Sequence, residues 1–342
     1  MRGAEAPSTQ SGRGRRLLGA AAAVFVLLAT LAGGAVWVGW RFHTDPGPLS
    51  EPLTMVVPRG AGVAAIAELL AEKGVIEQPL VFRASARIQD LPLKAGEYRF
   101  EPGISQRNVM LKMFKGEVVV RRLTVPEGLT AFEILALLDA TEGLEDKVSQ
   151  SPPEGSLLPE TYHFSWGDGR PEMVDRMRAG MSRTLDELWE GRQPNLPLAG
   201  KEQALVLASI VERETGIDRE RPHVAAVFLN RLRKGIKLQS DPTVIYGLSD
   251  RTGRLDRALT KDDLARPNPW NTYLIDGLPP SPIANPGRAA INAVLHPAAS
   301  DDLFFVADGT GGHAFAKTLA DHNRNVAKWR KIEKARKTGA AE

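Results

Sequence analysis

The chain has 342 residues, 25% of them charged and 43% apolar, with a formal net charge of +3. That is the make-up of an ordinary globular protein with room for two or three domains, and so small a positive excess gives no electrostatic footprint for nucleic acid. There is no cysteine, which excludes disulfides, thiol catalysis and thiolate metal sites.

Taken in chain order, the first feature is residues 17–40, which carry no charge. At about 1.5 Å per residue, a helix of that length spans a bilayer. Arg13, Arg15 and Arg16 precede it, so residues 1–16 read as a cytoplasmic tail, and Trp37 and Trp40 fall where an interfacial belt would lie. A cleaved signal peptide is the competing reading, but its apolar core is normally about 7–15 residues. Length therefore favours an uncleaved anchor in the lipid bilayer. Residues 41–52 hold three prolines and a glycine among their last ten positions and read as a linker.

An internal repeat follows at a spacing of 68 residues. VVPRGAGVAAIAELL (56–70) aligns with TVPEGLTAFEILALL (124–138), matching Val57, Pro58, Gly60, Ile66, Leu69 and Leu70 to Val125, Pro126, Gly128, Ile134, Leu137 and Leu138. Each copy predicts a strand, a Pro-x-Gly turn and a helix with apolar residues three and four apart. A weaker third copy starts at Phe100-Glu101-Pro102-Gly103. Two similar units are too few for a solenoid, so residues 53–150 read as small α+β modules packed side by side.

From about Ser151 the texture changes. Residues 171–191, 200–213 and 223–234 predict helices. Residues 238–286 are rich in Pro, Gly and Asn and lack periodicity, and they carry Tyr246, Trp270 and Tyr273, so they read as a long binding loop. Residues 304–307 (FFVA) predict a strand ending in the turn Asp308-Gly309, and the chain from Asn323 predicts a basic helix, with 326–342 as a solvated tail or a segment that touches anionic lipid.

The chemistry is sought at LASIVERETG (207–216). The run ALVLASIV (204–211) has one serine as its polar break, and then come Glu212 and Glu214. On a helical wheel Glu212 shares a face with Leu205 and Ala208, whereas Glu214 points nearly the opposite way. A carboxylate on an apolar face loses hydration, which favours its neutral form, and a carboxylic acid protonated near neutral pH can donate to a leaving group. The other reading is a buried ion pair with Arg213, Arg221 or Arg231. The six histidines show no metal-ligand spacing, and no nucleophile-elbow, P-loop or dinucleotide pattern is present.

LASIVERET, VFLNRLRKGIKLQSDPTVIYG, NTYLIDGLPPSPIANPG, HAFAKTLADHN and the upstream EGSLLPETYHF together resemble the endolytic murein transglycosylase family (MltG, also called YceG-like). The resemblance runs from the anchor to about Asn323. It departs at Ser281, where the family more often has glycine. It implies an α+β protein with a single inner-membrane span, a LysM-like module and a lytic transglycosylase domain over residues 151–325 that needs no cofactor or metal. It places the family's catalytic glutamate on Glu212 and a second family glutamate on Glu214. From the matched motifs, Gln239, Asp241, Asn271 and Tyr273, with Glu160 and Tyr162 from the entry stretch, are candidate substrate contacts. The implied partners are peptidoglycan glycan strands and, beside them, peptidoglycan synthases. A non-catalytic membrane-tethered scaffold would carry the repeats but would not need Glu212; a metal-dependent envelope hydrolase is disfavoured by the scattered histidines.

Overall fold

The computed structural model describes residues 11–250 and 252–339. The first ten residues of the expected tail and the last three of the chain lie outside them. The described part is mixed α and β. The first helix, α1 (Ser11–Thr44), is unbroken over 34 residues. Within it Leu18–Thr44 is long and apolar enough to cross a membrane; its apolar part is not buried in the protein, whereas His43 near its end is. The helix runs four residues past Trp40 and ends where Arg41 pairs with Asp45 at 2.8 Å, just before Pro46.

The chain then divides into two compact units, 1–120 and 121–342. In the first, β1 (Leu53–Val57), α2 (Val63–Glu72), α3 (Pro79–Ile88), β2 (Gly96–Phe100) and α4 (Gln106–Lys115) follow one another. Strands β1 and β2 pair antiparallel with Leu53 opposite Phe100 and Val57 opposite Gly96. Met55 and Val57 alternate inward as strand period demands, and they meet Ile66, Leu70, Phe82, Tyr98, Phe100 and Met110 in one core.

The second unit opens with β3 (Val120–Thr124), α5 (Ala131–Ala140), β4 (Leu144–Glu145), β5 (Thr161–Ser165), β6 (Asp168–Gly169) and α6 (Arg170–Glu190). Strand β3 pairs with β5, and β4 pairs parallel with β6. It continues with α7 (Lys201–Glu214), α8 (Arg221–Arg233), α9 (Asp241–Leu248), α10 (Lys261–Ala265), α11 (Arg288–Leu295), the antiparallel hairpin β7 (Phe304–Ala307) and β8 (His313–Ala316), and α12 (Leu319–Gly339). Pro171, Pro222 and Pro242 each sit in the first turn of a helix, where the missing N–H leaves no bond unmade. The apolar stripes of α7, α8 and α11 close on one another through Leu207, Ile210, Val211, Phe228, Leu229, Val294 and Leu295.

The repeat is a structural one. Gly60, Gly103 and Gly128 all hold positive φ (78°, 67° and 78°), and a helix begins three residues after each, at Val63, Gln106 and Ala131. The left-handed turn is what glycine makes without steric penalty. The expected grouping differs, however. The second copy belongs to the second unit, because Leu123, Val125, Ile134 and Leu138 share a core with Leu157, Phe164 and Met173. Residues 121–150 thus fold with the segment from Ser151, and the expected break near 150 falls at 120. The 238–286 segment is also less irregular than its composition suggests, since it contains α9 and α10. Finally, α12 begins at Leu319 and lays Ile332 beside Gly309, so the terminal helix is part of the second unit rather than a free tail.

Candidate active site

Glu212 occupies the last turn of α7, and its side chain is 4% exposed. Oε1 accepts from Arg221 Nη2 at 3.1 Å, and Oε2 accepts from the backbone N–H of Gly287 at 2.9 Å, at the start of α11. Burial pushes its proton affinity up. The Gly287 N–H pulls it down, the Glu127 carboxylate pushes it up again, and Arg221 pulls it down; the net direction is upward. Glu212 is therefore both a buried carboxyl with raised proton affinity and the partner of a buried arginine.

The clamp draws on distant segments. Arg221 begins α8, is 8% exposed, and also holds Asp218 at 2.5 Å and Glu127 at 3.3 Å. Glu127 lies in the turn of the second repeat copy. There Gly128 N–H donates to Asn285 O at 3.0 Å, and Asn285 N–H donates to Leu129 O at 2.8 Å. Wholly buried Asn285 accepts from Leu157 N–H at 2.9 Å through Oδ1 and donates from Nδ2 to Leu129 O and Glu154 Oε1, both at 3.0 Å. Ser209, the polar break in ALVLASIV, is explained here: it is fully buried, donates to Val206 O at 2.7 Å and accepts from Ile283 N–H at 3.0 Å. It thereby fastens the segment that leads to Gly287.

Glu214 faces away from this cluster. Its carboxylate accepts from Ser240 Oγ at 2.5 Å at the start of α9, and burial raises it to about 7 despite that bond. Around it stand three of the expected contact residues. Gln239 is exposed, holds φ +53° and accepts from Arg231 at 3.3 Å; Asp241 is exposed and accepts from the Tyr273 hydroxyl at 2.7 Å. Tyr273 and Asp241 are bonded to each other and act electrostatically on Glu214 or feel its charge, and Gln239 is held by Arg231, which also faces Glu214; none of the three is bonded to Glu212.

Two of the expected contacts are buried. Asn271 is fully buried: its side chain donates to Leu264 O and Arg266 O and accepts from Tyr273 N–H, so it holds the turn. Tyr162 is 7% exposed, donates to Leu158 O at 2.7 Å and packs in the core of the second unit. Its entry-stretch neighbour Glu160 is exposed and takes part through its backbone, accepting from Val125 N–H.

Tyr246 and Trp270 line a groove of about 860 Å³ with Glu154, Leu205, Ser281 and Pro282. Glu212 is not among the residues that line it. Ser281, the departure from the family pattern, accepts from Trp270 Nε1 at 3.0 Å. Among the described residues no group of three or more His, Asp or Glu side chains is placed to hold a metal ion. Sequence reading missed Glu127, Glu154, Asn285 and Gly287 as parts of the site. Glu127 carried a signal, since the first repeat copy has Arg59 at the same place in the turn.

A buried carboxyl held by an arginine and a helix-start N–H, beside a second carboxylate, is an arrangement for moving a proton. The chain belongs to the YceG-like family, whose pattern matches residues 55–328. It is 30% identical over 305 residues to the endolytic murein transglycosylase of Bacillus subtilis, covering 80% of this chain and 83% of that protein. It is 28% identical over 357 residues to the endolytic murein transglycosylase of Streptococcus pneumoniae strain D39, covering 88% of this chain and 63% of that longer protein. A solved YceG-like protein from Listeria monocytogenes is 31% identical, with a TM-score of 0.48 over 80% of this chain and 99% of that one.

Proposed function

We propose that this chain is a membrane-anchored lytic transglycosylase that cuts peptidoglycan glycan strands internally, with Glu212 as its acid and then its base. The observation that carries the reading is that two relatives named for this activity align over at least 80% of the chain, with Glu212 buried at the end of an apolar helix.

The chemistry suits a single proton-carrying group. A hydrolytic glycosidase handles a water or a covalent nucleophile with a second carboxylate. Here the nucleophile is the C6 hydroxyl of the N-acetylmuramic acid itself. Glu212, protonated, gives its proton to the glycosidic oxygen; the C1–O bond breaks, and the N-acetylglucosamine leaves with a 4-hydroxyl. The Glu212 carboxylate then takes the proton of the C6 hydroxyl as that oxygen bonds to C1. The product is a 1,6-anhydro end, no water is consumed, and the acid is regenerated. Tethering of the nucleophile removes most of the orientation entropy, and the positioned proton donor contributes about 10²–10⁴-fold.

The surroundings follow the same reading. Gln239, Asp241 and Tyr273 are taken as glycan contacts on the Glu214 side of α7, with Glu160 at the entry. The LysM-like assignment is kept for residues 53–120, on the strength of their strand–turn–helix units and their place ahead of the catalytic unit. The arginines before residue 17 put the N-terminus in the cytoplasm and the catalytic unit outside, close to the cytoplasmic membrane. There the enzyme trims strands as the synthases release them.

The test incubates the full chain in bilayer nanodiscs, wild type and Glu212→Gln, with uncrosslinked strands, and reads the products by mass spectrometry. Ends lighter than hydrolysis products by one water, from wild type alone, are expected. Reducing ends would make the protein a hydrolase. Strand binding with no cutting would favour the scaffold.

A further inference from the structure

We propose that Glu127 is the second carboxylate of the active site, a positioning residue that shares Arg221 with Glu212 and so leaves Glu212 able to hold a proton. The inference rests on the reading of Glu212 as the acid and says what makes that acid usable.

A buried glutamate paired with arginine is ordinarily held ionised, and an ionised group cannot protonate a leaving oxygen. Yet Glu212 Oε1 lies 3.1 Å from Arg221 Nη2, and its other oxygen takes the Gly287 N–H. Both contacts favour the anion. What opposes them, besides burial, is Glu127: its Oε2 lies 3.3 Å from the same Nη2 atom. Asp218 takes Nη1 at 2.5 Å. One guanidinium thus faces three carboxylates, contributed by α7, by the repeat turn and by the loop before α8. On its own helix the neighbouring Arg213 does not redress the balance, because it is bound to Gly128 O and Gly253 O.

The position of Glu127 is built. Its turn is fixed by the left-handed Gly128 and by hydrogen bonds to both sides of Asn285. Gly287 leaves the space the carboxyl fills: a Cβ there would meet Glu127 Oε1 at 1.7 Å and its Cδ at 2.2 Å. Since Gly287 has an ordinary φ of −76°, its lack of a side chain serves room and not backbone conformation. The turn itself does not require an acid, because the first repeat copy makes the same turn with Arg59. Glu127 is also 41% exposed where Glu212 is 4%, so water reaches it while it acts on the buried group.

The experiment measures the pH dependence of initial cutting by the full chain in nanodiscs for wild type, Glu127→Gln, Glu127→Asp, Gly287→Ala and the Glu127→Gln/Gly287→Ala pair. Removing the Glu127 charge leaves Nη2 of Arg221 to Glu212 alone, so Glu212 loses its proton at lower pH. The alkaline limb of Glu127→Gln is expected to move down by about one pH unit, with an about tenfold loss above the limb and the low-pH plateau kept. Glu127→Asp restores part of the shift. Gly287→Ala displaces the carboxyl and gives the same shift, and the pair adds nothing further. A limb that stays in place, or a loss equal at every pH, overturns the inference. Carboxyl carbon NMR of glutamate-labelled protein, with Glu212 assigned through Glu212→Gln, reads the same proton without substrate. If wild type does not cut, the proposed function fails, while the NMR titration still decides whether Glu127 acts on Glu212.

Discussion

Replacing Asn285 tests the packing that brings the repeat turn to the acid. Asn285→Ala keeps the backbone bonds to Gly128 and Leu129 but removes three side-chain bonds, to Leu157 N–H, Leu129 O and Glu154. Leu157 is fully buried, so its N–H is left unsatisfied, at about 1–3 kcal/mol. Glu154 keeps the Ala131 N–H at 2.8 Å and the Tyr246 hydroxyl at 3.2 Å and loses one charge-assisted bond, which adds about 1.5 kcal/mol. A loss of about 2.5–4.5 kcal/mol is expected for the second unit, read by urea-dependent proteolysis of the full chain in detergent. Asn285→Asp sharpens the test. It keeps the shape and the bond from Leu157 but sets a carboxyl oxygen against Glu154, which burial already holds above the usual carboxylate range. One of the pair must then stay protonated, so its folded pKa lies above its unfolded value. The Asp variant is close to wild type below about pH 4 and loses stability as pH rises through the raised value. An Ala variant within about 0.5 kcal/mol of wild type, or an Asp variant that follows wild type at every pH, would refute the reasoning.

Three further outcomes are expected. Glu214 is raised by burial to about 7 from an ordinary 4.5, so the stability that its neutral form supports is complete below pH 4.5 and declines as pH rises through about 7. Glu214→Gln should flatten that part of the stability–pH curve, and an unchanged slope would show that another group titrates there. Gly155→Ala should destabilise the second unit by at least about 1–2 kcal/mol in thermal unfolding, because φ is +79° and a Cβ would meet Pro282 at 2.6 Å. Gly216→Ala, where nothing lies within 4 Å, is the control and should stay near wild type. Ser281→Gly removes the acceptor for Trp270 Nε1 and should lower stability by about 1 kcal/mol while cutting persists; loss of cutting would tie that loop to the chemistry.

The local features were readable without coordinates because each has a local cause. An uncharged run of bilayer length makes α1, glycine at a positive-φ turn makes the repeat, and apolar spacing makes α6, α7 and α8. The wheel also separated Glu212 from Glu214, since the helix period alone sets which faces they occupy. The short α9, α10 and α11 were not legible, because elements of five to eight residues carry little periodicity and take their stability from packing. The domain break at 120 was not legible either. The second repeat copy looks like the first in sequence, but its apolar face is claimed by Leu157, Phe164 and Met173, which lie beyond it in the chain.

The site shows the same division. That an acid sits on the apolar face of α7 follows from residue order. Which arginine meets it was open among Arg213, Arg221 and Arg231, and tertiary contact chose Arg221, sending Arg213 to backbone carbonyls and Arg231 toward Leu238 and Gln239. Asn271 and Tyr162 looked like contact residues by type and proved buried, since a turn amide and a core hydroxyl carry the same letters as a ligand contact. Glu127 and Gly287 are 85 and 75 residues from Glu212 in the chain. No periodicity couples such distances; they meet because Asn285 and Ser209 tie their segments down on either side of the acid.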